Sequence, residues 1–317
     1  MNNDFFEETK DIRDRLKKKL DEMIDYVKDN RIKDILNQRH RSSFFVKGIS
    51  AYLIHKGLNG KLSEQKLLTL AASIELYSTS LVILDNIVDN HDIRNHETTY
   101  LREYGKGINS IAMQYATNIS LFNLSSYIAA VRKCTWDLSL RAIGKAIDGM
   151  LSLDLDKPQN TKDIKNSILK VNGITLAAPL SLVASIATKN PFKIKEIFRY
   201  GCHTGLAFGL YEEIRDLTGT HGRMRGFELL RGRTPYFLAL SKQKGLKIDL
   251  PANNLEGDYD YFVDQLNNTG VLEETESLVK KHLEKGSKAL RRCIKSDEFM
   301  RLNKLKKTIE FSLEKLV

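Results

Sequence analysis

Proline is scarce in this sequence, with five residues among 317 and none before position 158. Because proline interrupts helices, long helices can form without a break over the first half of the chain. Cysteine is also scarce: Cys134, Cys202 and Cys293 are odd in number, widely spaced and without a CxxC or Cys/His pair. This spacing argues against a disulfide framework or a zinc site and indicates a reduced, cytoplasmic protein.

Long hydrophobic runs are missing as well. The longest weakly polar run, residues 174–187, has 14 residues and includes a proline, so it is too short to span a bilayer. The first 20 residues are charged throughout and do not resemble a signal peptide. We therefore expect no stable membrane insertion and a cytoplasmic location.

Positive charge is in excess. The formal net charge is +10, and residues 280–317 carry twelve Lys and Arg against five Asp and Glu. Such an excess is typical of a solvated helical surface, of a site for anionic substrates, or of a patch for nucleic acid or membrane. The sequence has no zinc-finger spacing, no RNP-like aromatic motif and no basic-zipper heptads, so nucleic acid is not an expected partner.

Helical periodicity dominates almost the whole chain. Apolar residues in 4–30 recur at spacings of three, four and seven. Ser63 is the expected N-cap of an apolar helix, and Pro191 fits the first turn of another. The predicted helices include 136–155, 191–217, 271–296 and 297–317, and residues 107–131 are predicted as one broken helix or two. No stretch alternates with a period of two and no change of composition marks a linker, so the sequence predicts a single all-α domain over residues 1–317.

Two of these helices end in acidic residues. Asp85 and Asp89 follow the apolar run of LVILDNIVDNHDIRN, and Glu212 and Asp216 follow that of GLYEEIRDLTG, with Glu213 adjacent. A spacing of four residues puts both carboxylates of a pair on one helical face. Such pairs are common on exposed helices, where they are simply solvated. Two pairs that each end an apolar run and precede a basic loop make a metal site the better interpretation.

Mg²⁺ is the ion that suits such a pair of clusters. It prefers oxygen ligands and often takes only one or two carboxylates, with water and substrate phosphate oxygens completing its shell. Arg94, five residues after Asp89, carries a planar guanidinium that matches the same phosphate. The sequence therefore predicts a magnesium diphosphate site, provided that the two helix ends face each other across a helical bundle.

These segments resemble the trans-isoprenyl diphosphate synthases and the related class I terpene synthases. ASIELYSTSLVILDNIVDNHDIRN is similar to the family's EL-x-H-T-x-x-L-x-x-DDxxD-x-x-x-x-RR segment, and GLAFGLYEEIRDLTG to its F-Q-x-x-DDxxD motif. RGRTPYFLAL resembles its GK-x-T-x-P stretch, and TGVLEETESLVKKHLEKGSKAL resembles a late family helix. The resemblance runs from about residue 36 to the end. It implies an isoprenoid synthase-type helical bundle around a central apolar cavity, and a homodimer.

In that family the two acidic motifs and the arginine after the first hold an allylic prenyl diphosphate through two or three Mg²⁺ ions. The catalytic residues implied by the resemblance are Asp85, Asp89, Arg94, Glu212 and Asp216. The implied metal ligands are Asp85, Asp89, Glu212, Glu213 and Asp216. Asn86 replaces the middle acid of the first motif, whereas two Asp→Glu changes in the second motif keep its charge.

The resemblance also implies residues that bind the substrate. Arg233 stands in for the lysine of the GK stretch. Tyr77, Phe208 and Tyr211 lie within two turns of the acidic motifs and are candidates for the lining of an apolar pocket, with core packing as the alternative. Ser80 is small where family members with short products carry a bulky aromatic residue, which predicts a pocket for a C15 or C20 chain.

The second diphosphate site of a chain-elongating member, which binds isopentenyl diphosphate, is depleted in this sequence. Arg41 matches the family's arginine, but Gln38, Ser78 and Asn95 replace a lysine, a histidine and a second arginine. Each charge-assisted hydrogen bond is worth roughly 1.5–3 kcal/mol, so these replacements weaken the binding of the acceptor diphosphate strongly.

An ionising site without an acceptor site predicts a Mg²⁺-dependent class I terpene synthase, which ionises a C15 or C20 prenyl diphosphate and cyclises or quenches the carbocation. Two alternatives stay open. One is a trans-prenyltransferase, either chain-elongating or using another acceptor. The other is a non-catalytic subunit of a heteromeric prenyl synthase, against which the retained charge argues, because drift does not favour Asp→Glu over Asp→Ala.

Overall fold

Helices dominate the computed structural model, which describes residues 5–91, 93–94, 97–127, 144–145, 160–219, 225–230, 232–251 and 256–313. The first helices are α1 (Phe5–Glu8), α2 (Lys10–Ile24), α3 (Asn30–Ser42), α4 (Val46–Gly57), α5 (Glu64–Asp89) and α6 (Tyr100–Ser125). They are followed by α7 (Thr161–Ile168), a π-helical turn (Leu169–Ile174), α8 (Thr175–Ala187), α9 (Pro191–Thr218), α10 (Phe227–Leu230) and α11 (Tyr236–Gln243). The last helices are α12 (Glu256–Asn268), α13 (Val271–Arg291) and α14 (Asp297–Leu313).

A short hairpin interrupts the helices. Within the described ranges the strands are β1 (Ile93–Arg94) and β2 (Glu97–Thr98), which pair antiparallel. Strands of two residues are too short to show a period of two, which is why the sequence did not predict them. The prediction of an all-α fold is confirmed.

Several predicted helix boundaries are confirmed, and two are wrong. The helix predicted at 271–296 begins at Val271 but ends at Arg291. Pro191 opens α9, and Ser63 is the N-cap residue of α5, although its side chain makes no capping hydrogen bond. The helix predicted from residue 107 begins earlier, at Tyr100, because it continues through a kink at Gly105, where φ is +69°. The helix predicted at 136–155 lies outside the described residues apart from 144–145.

Contacts between residues divide the chain into two compact units. The first unit comprises residues 1–140, 178–198 and 289–305. The second comprises residues 141–177, 199–288 and 306–317. The prediction of a single domain over 1–317 and that of a central apolar cavity stay predictions.

The long helix α5 forms the core of the first unit. It packs against α2, α4 and α6, and residues 70–81 are all buried. A helix that is buried on every side is typical of the interior of a large domain. Inside this apolar surface, Glu75 accepts hydrogen bonds from the Gly48 backbone N–H (2.9 Å) and the Ser43 hydroxyl (3.1 Å). The carboxylate thereby fixes the start of α4 on α5.

Replacing Glu75 by alanine is expected to lower the free energy of unfolding by about 2–4 kcal/mol. The substitution removes both hydrogen bonds and leaves the buried Gly48 N–H without its acceptor. Urea titration followed by circular dichroism measures the change. Glu22→Ala is the control, because the Glu22 side chain is 52% exposed; a similar loss in both variants would contradict the prediction.

Among the residues that the structure describes, two helical segments are long and apolar enough to cross a membrane. They are Glu64–Asp89 and Thr161–Ala187, and their most apolar windows are 83% and 72% buried inside the protein. Core helices of soluble proteins have the same length and composition, so these segments are weak evidence for insertion. That the protein does not insert stably into a membrane, and that it is cytoplasmic, stay predictions.

In the second unit, α9 approaches its neighbours at backbone distance through glycines. A Cβ on Gly201 would lie 2.4 Å from the Ala177 Cα. A Cβ on Gly205 would lie 2.3 Å from the Asn172 carbonyl oxygen, in the π-helical turn. Gly209, four residues further along, makes a third approach of this kind, with 2.3 Å to its nearest neighbouring atom. Because α9 carries the second acidic motif, these glycines determine where that motif lies within the unit.

Two histidines of the second unit lie side by side. The Nδ1 atoms of His203 and His282 are 3.1 Å apart, and burial lowers the pKa of both imidazoles. The positive charge of Lys285 lowers both pKa values further. Arg199 also lowers the pKa of His203, and a protonated His203 lowers the pKa of His282. The folded protein therefore favours neutral imidazoles at this position.

The histidine pair is expected to make stability depend on pH. An unfolded chain binds protons on histidine below about pH 6.5, whereas the folded pair resists them, so the free energy of unfolding should fall as the pH drops below that value. His282→Gln should reduce this fall between pH 6.5 and 5. Urea titrations of both proteins at several pH values test it; an unchanged pH dependence in the variant would contradict it.

Candidate active site

The first acidic motif occupies the last turn of α5 and the residues just after it. Asn90 caps the helix in the left-handed conformation, with φ +51°, which asparagine tolerates better than most residues. The backbone N–H groups of Asn90 and His91 both donate to the Asn86 carbonyl oxygen. This turn reverses the chain and brings the His91 imidazole to 3.8 Å (Nδ1 to Oδ2) from the Asp85 carboxylate.

Three side chains form a cluster at this turn, which we call the Asp85 cluster: Asp85, Asp89 and His91. Their ligand atoms all lie within 4.8 Å of one another, Asp89 and His91 are 1% exposed, and the Asp85 side chain is 21% exposed. A buried carboxylate such as that of Asp89 is costly unless it is hydrogen-bonded or positive charge compensates for it. The Asp85 cluster can therefore hold a divalent cation.

His91 is a member of this cluster that sequence reasoning missed. A histidine two residues after Asp89 is visible in the sequence, but only the left-handed turn at Asn90 brings it back beside Asp85. Asparagine directly after an apolar helix was the signal that predicts such a turn.

The positions of the predicted acceptor diphosphate site, and Arg94, lie in α3, in α5 and in the hairpin segment. The Gln38 side-chain amide, in the position of the family's lysine, donates to the Thr98 carbonyl oxygen of β2 at 2.7 Å. Arg41, at the end of α3, is exposed, and Ser78, in α5, is buried. Arg94 lies in β1, and its side chain and Asn95 are outside the described part.

The second acidic motif lies in the last two turns of α9, and its three acids have different partners. Glu212 accepts a hydrogen bond from Arg215 Nη1 at 2.8 Å. Glu213 accepts the Tyr236 backbone N–H at 2.8 Å. Burial raises the pKa of Glu213 to about 8, despite that hydrogen bond and with help from the negative charge of nearby carboxylates. A cation close to a carboxyl group whose pKa is raised by burial favours its ionised form.

Asp216 connects the motif to the segment that follows it. It is 3% exposed, and its Oδ2 accepts the Glu228 backbone N–H at 3.0 Å. Its backbone oxygen accepts the Gly226 N–H at 2.9 Å. Glu228 in turn accepts a hydrogen bond from Arg233 Nη1 at 2.7 Å. Arg233 is thus held near the second acidic motif through Glu228.

The four predicted pocket residues differ in burial. Tyr77 and Ser80 are buried in α5, where the Ser80 hydroxyl donates to the Tyr77 carbonyl oxygen at 2.7 Å, and burial raises the pKa of Tyr77. Tyr211 is buried in α9 beneath the Arg215 guanidinium, which lies 5.5 Å from the ring centre. Phe208 is 41% exposed, so it is not packed in a core. Their role as a pocket lining stays a prediction.

The two acidic motifs belong to different units. Asp85 and Asp89 lie in the first unit, and Glu212, Glu213 and Asp216 lie in the second. The ligand atoms of Asp85 and Asp89 lie within 4.8 Å of each other, whereas the three acids of the second motif have different partners. That the two motifs face each other stays a prediction.

The family of the protein follows from comparison with known proteins. Residues 18–225, about two thirds of the chain, match the sequence model of the polyprenyl synthetase family. The chain therefore belongs to the polyprenyl synthetase family. A geranylgeranyl diphosphate synthase of Methanosarcina mazei is 23% identical over 240 residues, which are 71% of this chain and 73% of that protein. A prenyl transferase of Cyanidium caldarium is 24% identical over 247 residues, 74% of this chain and 73% of that protein.

Solved structures show the same fold. A polyprenyl synthase from Caulobacter crescentus, complexed with calcium and isoprenyl diphosphate, superposes with a TM-score of 0.83 at 15% identity over 96% of both chains. A geranylgeranyl pyrophosphate synthetase from Pyrococcus horikoshii superposes with a TM-score of 0.80 at 20% identity, over 96% of this chain and 98% of the other. The prediction of an isoprenoid synthase-type helical fold is confirmed.

The comparisons change the order of the functional interpretations. The chain is an enzyme of the prenyl synthase family, and the relatives it matches are named as prenyl transferases and prenyl diphosphate synthases. The terpene synthase interpretation gains no support from them. The alternative, a trans-prenyltransferase, is better supported.

Proposed function

We propose that this protein is a Mg²⁺-dependent trans-prenyltransferase that joins an allylic prenyl diphosphate to isopentenyl diphosphate. The observation that carries the proposal is the match of residues 18–225 to the polyprenyl synthetase family, within which both acidic motifs fall. The relatives named as geranylgeranyl diphosphate synthases suggest products of about that length. The small, buried Ser80 in α5 agrees with an allylic chain of C15 or C20.

The donor set of the chain fits Mg²⁺. Carboxylate oxygens are the ligands that this ion prefers, and the Asp85 cluster brings together two carboxylates, of which Asp89 is buried and Asp85 is partly exposed. The residues we assign to the ions are Asp85, Asp89, Glu212, Glu213 and Asp216. When bound, Mg²⁺ withdraws charge from the diphosphate and makes it a better leaving group.

The reaction breaks the bond between the allylic carbon and the diphosphate oxygen, and the electron pair leaves with diphosphate. The double bond of isopentenyl diphosphate then forms a bond to the allylic carbon, and loss of a proton restores a double bond. Arg94 and Arg233 supply positive charge to the departing diphosphate. The hydrogen bond from Arg233 to Glu228 orients that guanidinium before substrate arrives.

One observation favours a class I terpene synthase as a second candidate. The acceptor site has lost three basic residues, and the Gln38 amide that replaces the lysine is bonded to the Thr98 carbonyl oxygen. A binding site for a second diphosphate is therefore weaker than in a typical chain-elongating member. An allylic substrate alone would then end as a hydrocarbon or an alcohol.

The decisive experiment incubates the full-length protein with Mg²⁺ and C10, C15 or C20 allylic diphosphates, with and without isopentenyl diphosphate. Diphosphate release and organic products are measured together. A longer prenyl diphosphate, formed only when isopentenyl diphosphate is present, supports the proposal. Diphosphate release with a volatile product from the allylic substrate alone supports the terpene synthase. No reaction under either condition supports a non-catalytic subunit.

We also propose that the protein is a homodimer, as the family resemblance implies. In α6 the side chains of Ile111, Tyr115 and Phe122 are 47%, 44% and 78% exposed. Exposed apolar side chains that share a helix are typical of an interaction surface. Phe122→Glu is expected to shift sedimentation velocity from dimer towards monomer, whereas Lys106→Glu on the same helix is not; a wild-type monomer would contradict the proposal.

A further inference from the structure

The position of His91 is the feature that the acidic motif alone does not explain. Its Nδ1 lies 3.8 Å from Asp85 Oδ2, too far for a hydrogen bond. Two atoms that bind one metal ion at about 2.0–2.2 Å lie roughly 3–4.4 Å apart. The separation of imidazole and carboxylate is therefore that of two ligands sharing an ion, and Asp89 offers a third ligand atom within 4.8 Å of both.

The turn that carries His91 is fixed on both sides by backbone hydrogen bonds. The N–H groups of residues 90 and 91 donate to the Asn86 carbonyl oxygen, and the Thr99 hydroxyl donates to the His91 carbonyl oxygen. These bonds fix the backbone of the turn, and with it the position from which the His91 side chain extends. The ring is 1% exposed and lies against the two carboxylates.

The composition of the motif shows what the imidazole replaces. Asn86 stands where the family resemblance places an acid, so the helix itself offers two carboxylates instead of three. A neutral imidazole restores a third strong ligand for a metal ion, through its ring nitrogen, without adding negative charge. It also changes the preference of the site, because imidazole nitrogen suits transition metals better than Mg²⁺.

We propose that His91 is a nitrogen ligand, together with Asp85 and Asp89, of the divalent cation at the Asp85 cluster. The inference rests on the proposed function, in which that cation binds the substrate diphosphate. It makes this site a mixed nitrogen and oxygen site. The site binds Mn²⁺ and Co²⁺ more tightly, relative to Mg²⁺, than a site of oxygen ligands alone.

The test is pulsed EPR of the full-length protein with Mn²⁺ and inorganic diphosphate. Electron spin echo modulation detects a ¹⁴N nucleus bound to Mn²⁺, so the wild type should show this modulation and His91→Asn should lose it. His55→Asn is the matched control, since His55 is equally buried, at 1% exposed, but packs beside Gly60. The control should keep the modulation.

A second measurement uses binding alone. The ratio of the dissociation constant for Mg²⁺ to that for Mn²⁺ should fall in His91→Asn, because the variant loses the imidazole nitrogen that favours a transition metal over Mg²⁺. Circular dichroism confirms folding, and His91→Gln replaces the variant if it does not fold.

The outcomes separate this inference from the proposed function. Bound Mn²⁺ without ¹⁴N modulation in the wild type would overturn the role of His91 and leave prenyl transfer untouched. Modulation that persists in both His91 variants would overturn it too. Prenyl transfer is measured in the same preparation and reports on the proposed function independently. A ¹⁴N signal without prenyl transfer would overturn the proposed function and leave the assignment of His91 as a ligand standing.

Discussion

The Asp89→Asn variant is expected to release diphosphate from an allylic prenyl diphosphate at least ~100-fold more slowly than the wild type, since removal of one group that stabilises developing charge typically has this effect. Asp89 is 1% exposed and shares the Asp85 cluster. Asparagine keeps its shape and removes its charge, so the cluster loses affinity for Mg²⁺. Steady-state release of diphosphate across a Mg²⁺ titration measures the effect, with both proteins compared at the Mg²⁺ concentration that half-saturates the wild type.

A matched variant separates loss of the metal site from loss of the fold. Asp25→Asn removes an aspartate of the same unit that is 76% exposed and forms an ion pair with Lys33. This control should keep the wild-type rate, and thermal denaturation should be similar for both variants. A fully active Asp89→Asn protein would show that the first motif does not hold a catalytic ion.

Gly205→Ala is expected to lower the free energy of unfolding by about 2–3 kcal/mol, the cost of overpacking a tight interior. Its new Cβ would lie 2.3 Å from the Asn172 carbonyl oxygen and 2.7 Å from the Gly173 Cα, both backbone atoms that cannot move away alone. Urea titration of the variant and the wild type gives the change.

The control for this substitution should change stability in the opposite direction. Gly107 lies inside α6, and a Cβ added there would meet nothing within 4 Å. Inside a helix, alanine is more favourable than glycine by about 1 kcal/mol, so Gly107→Ala should raise the free energy of unfolding by about that amount. If both variants gained stability, α9 would not be packed at backbone distance from the π-helical turn.

Local patterns in the sequence predicted much of the fold. The start of α9 at Pro191, the N-cap position of Ser63 and the acidic residues on one helical face all depend on neighbours within a few residues. Helical periodicity and helix capping are local properties, so one sequence suffices to find them. Family membership was also visible, because the motifs recur in order along the chain.

The missed features depend on residues that meet across longer distances. His91 joins Asp85 only through the left-handed turn at Asn90, and Arg233 is held near Asp216 only through Glu228. The sequence did not show that the glycines of α9 allow close packing, because their nearest partners, Ala177, Asn172 and Ile168, lie far earlier in the chain. Such contacts require coordinates.

The preference for a terpene synthase came from counting lost cations. Gln38 was read as a missing lysine, but its amide connects α3 to the hairpin through the Thr98 carbonyl oxygen. This contact leaves the position without a lysine's positive charge, so the count of lost cations still indicates a weaker acceptor site. The count does not identify the acceptor, and it is the family match that favours a prenyltransferase.

The π-helical turn has a consequence for the engineering of this chain. A π-helical turn is an α-helix with one residue inserted, so removing one residue from Leu169–Ile174 would restore uniform α-helical winding. The same deletion would rotate Asn172 and Gly173 away from the position at which they now pack against Gly205. The inserted residue of the π-helical turn and the absence of a side chain at Gly205 together allow the close contact between the two segments. A shortened variant would therefore need a compensating change on α9 to fold as before.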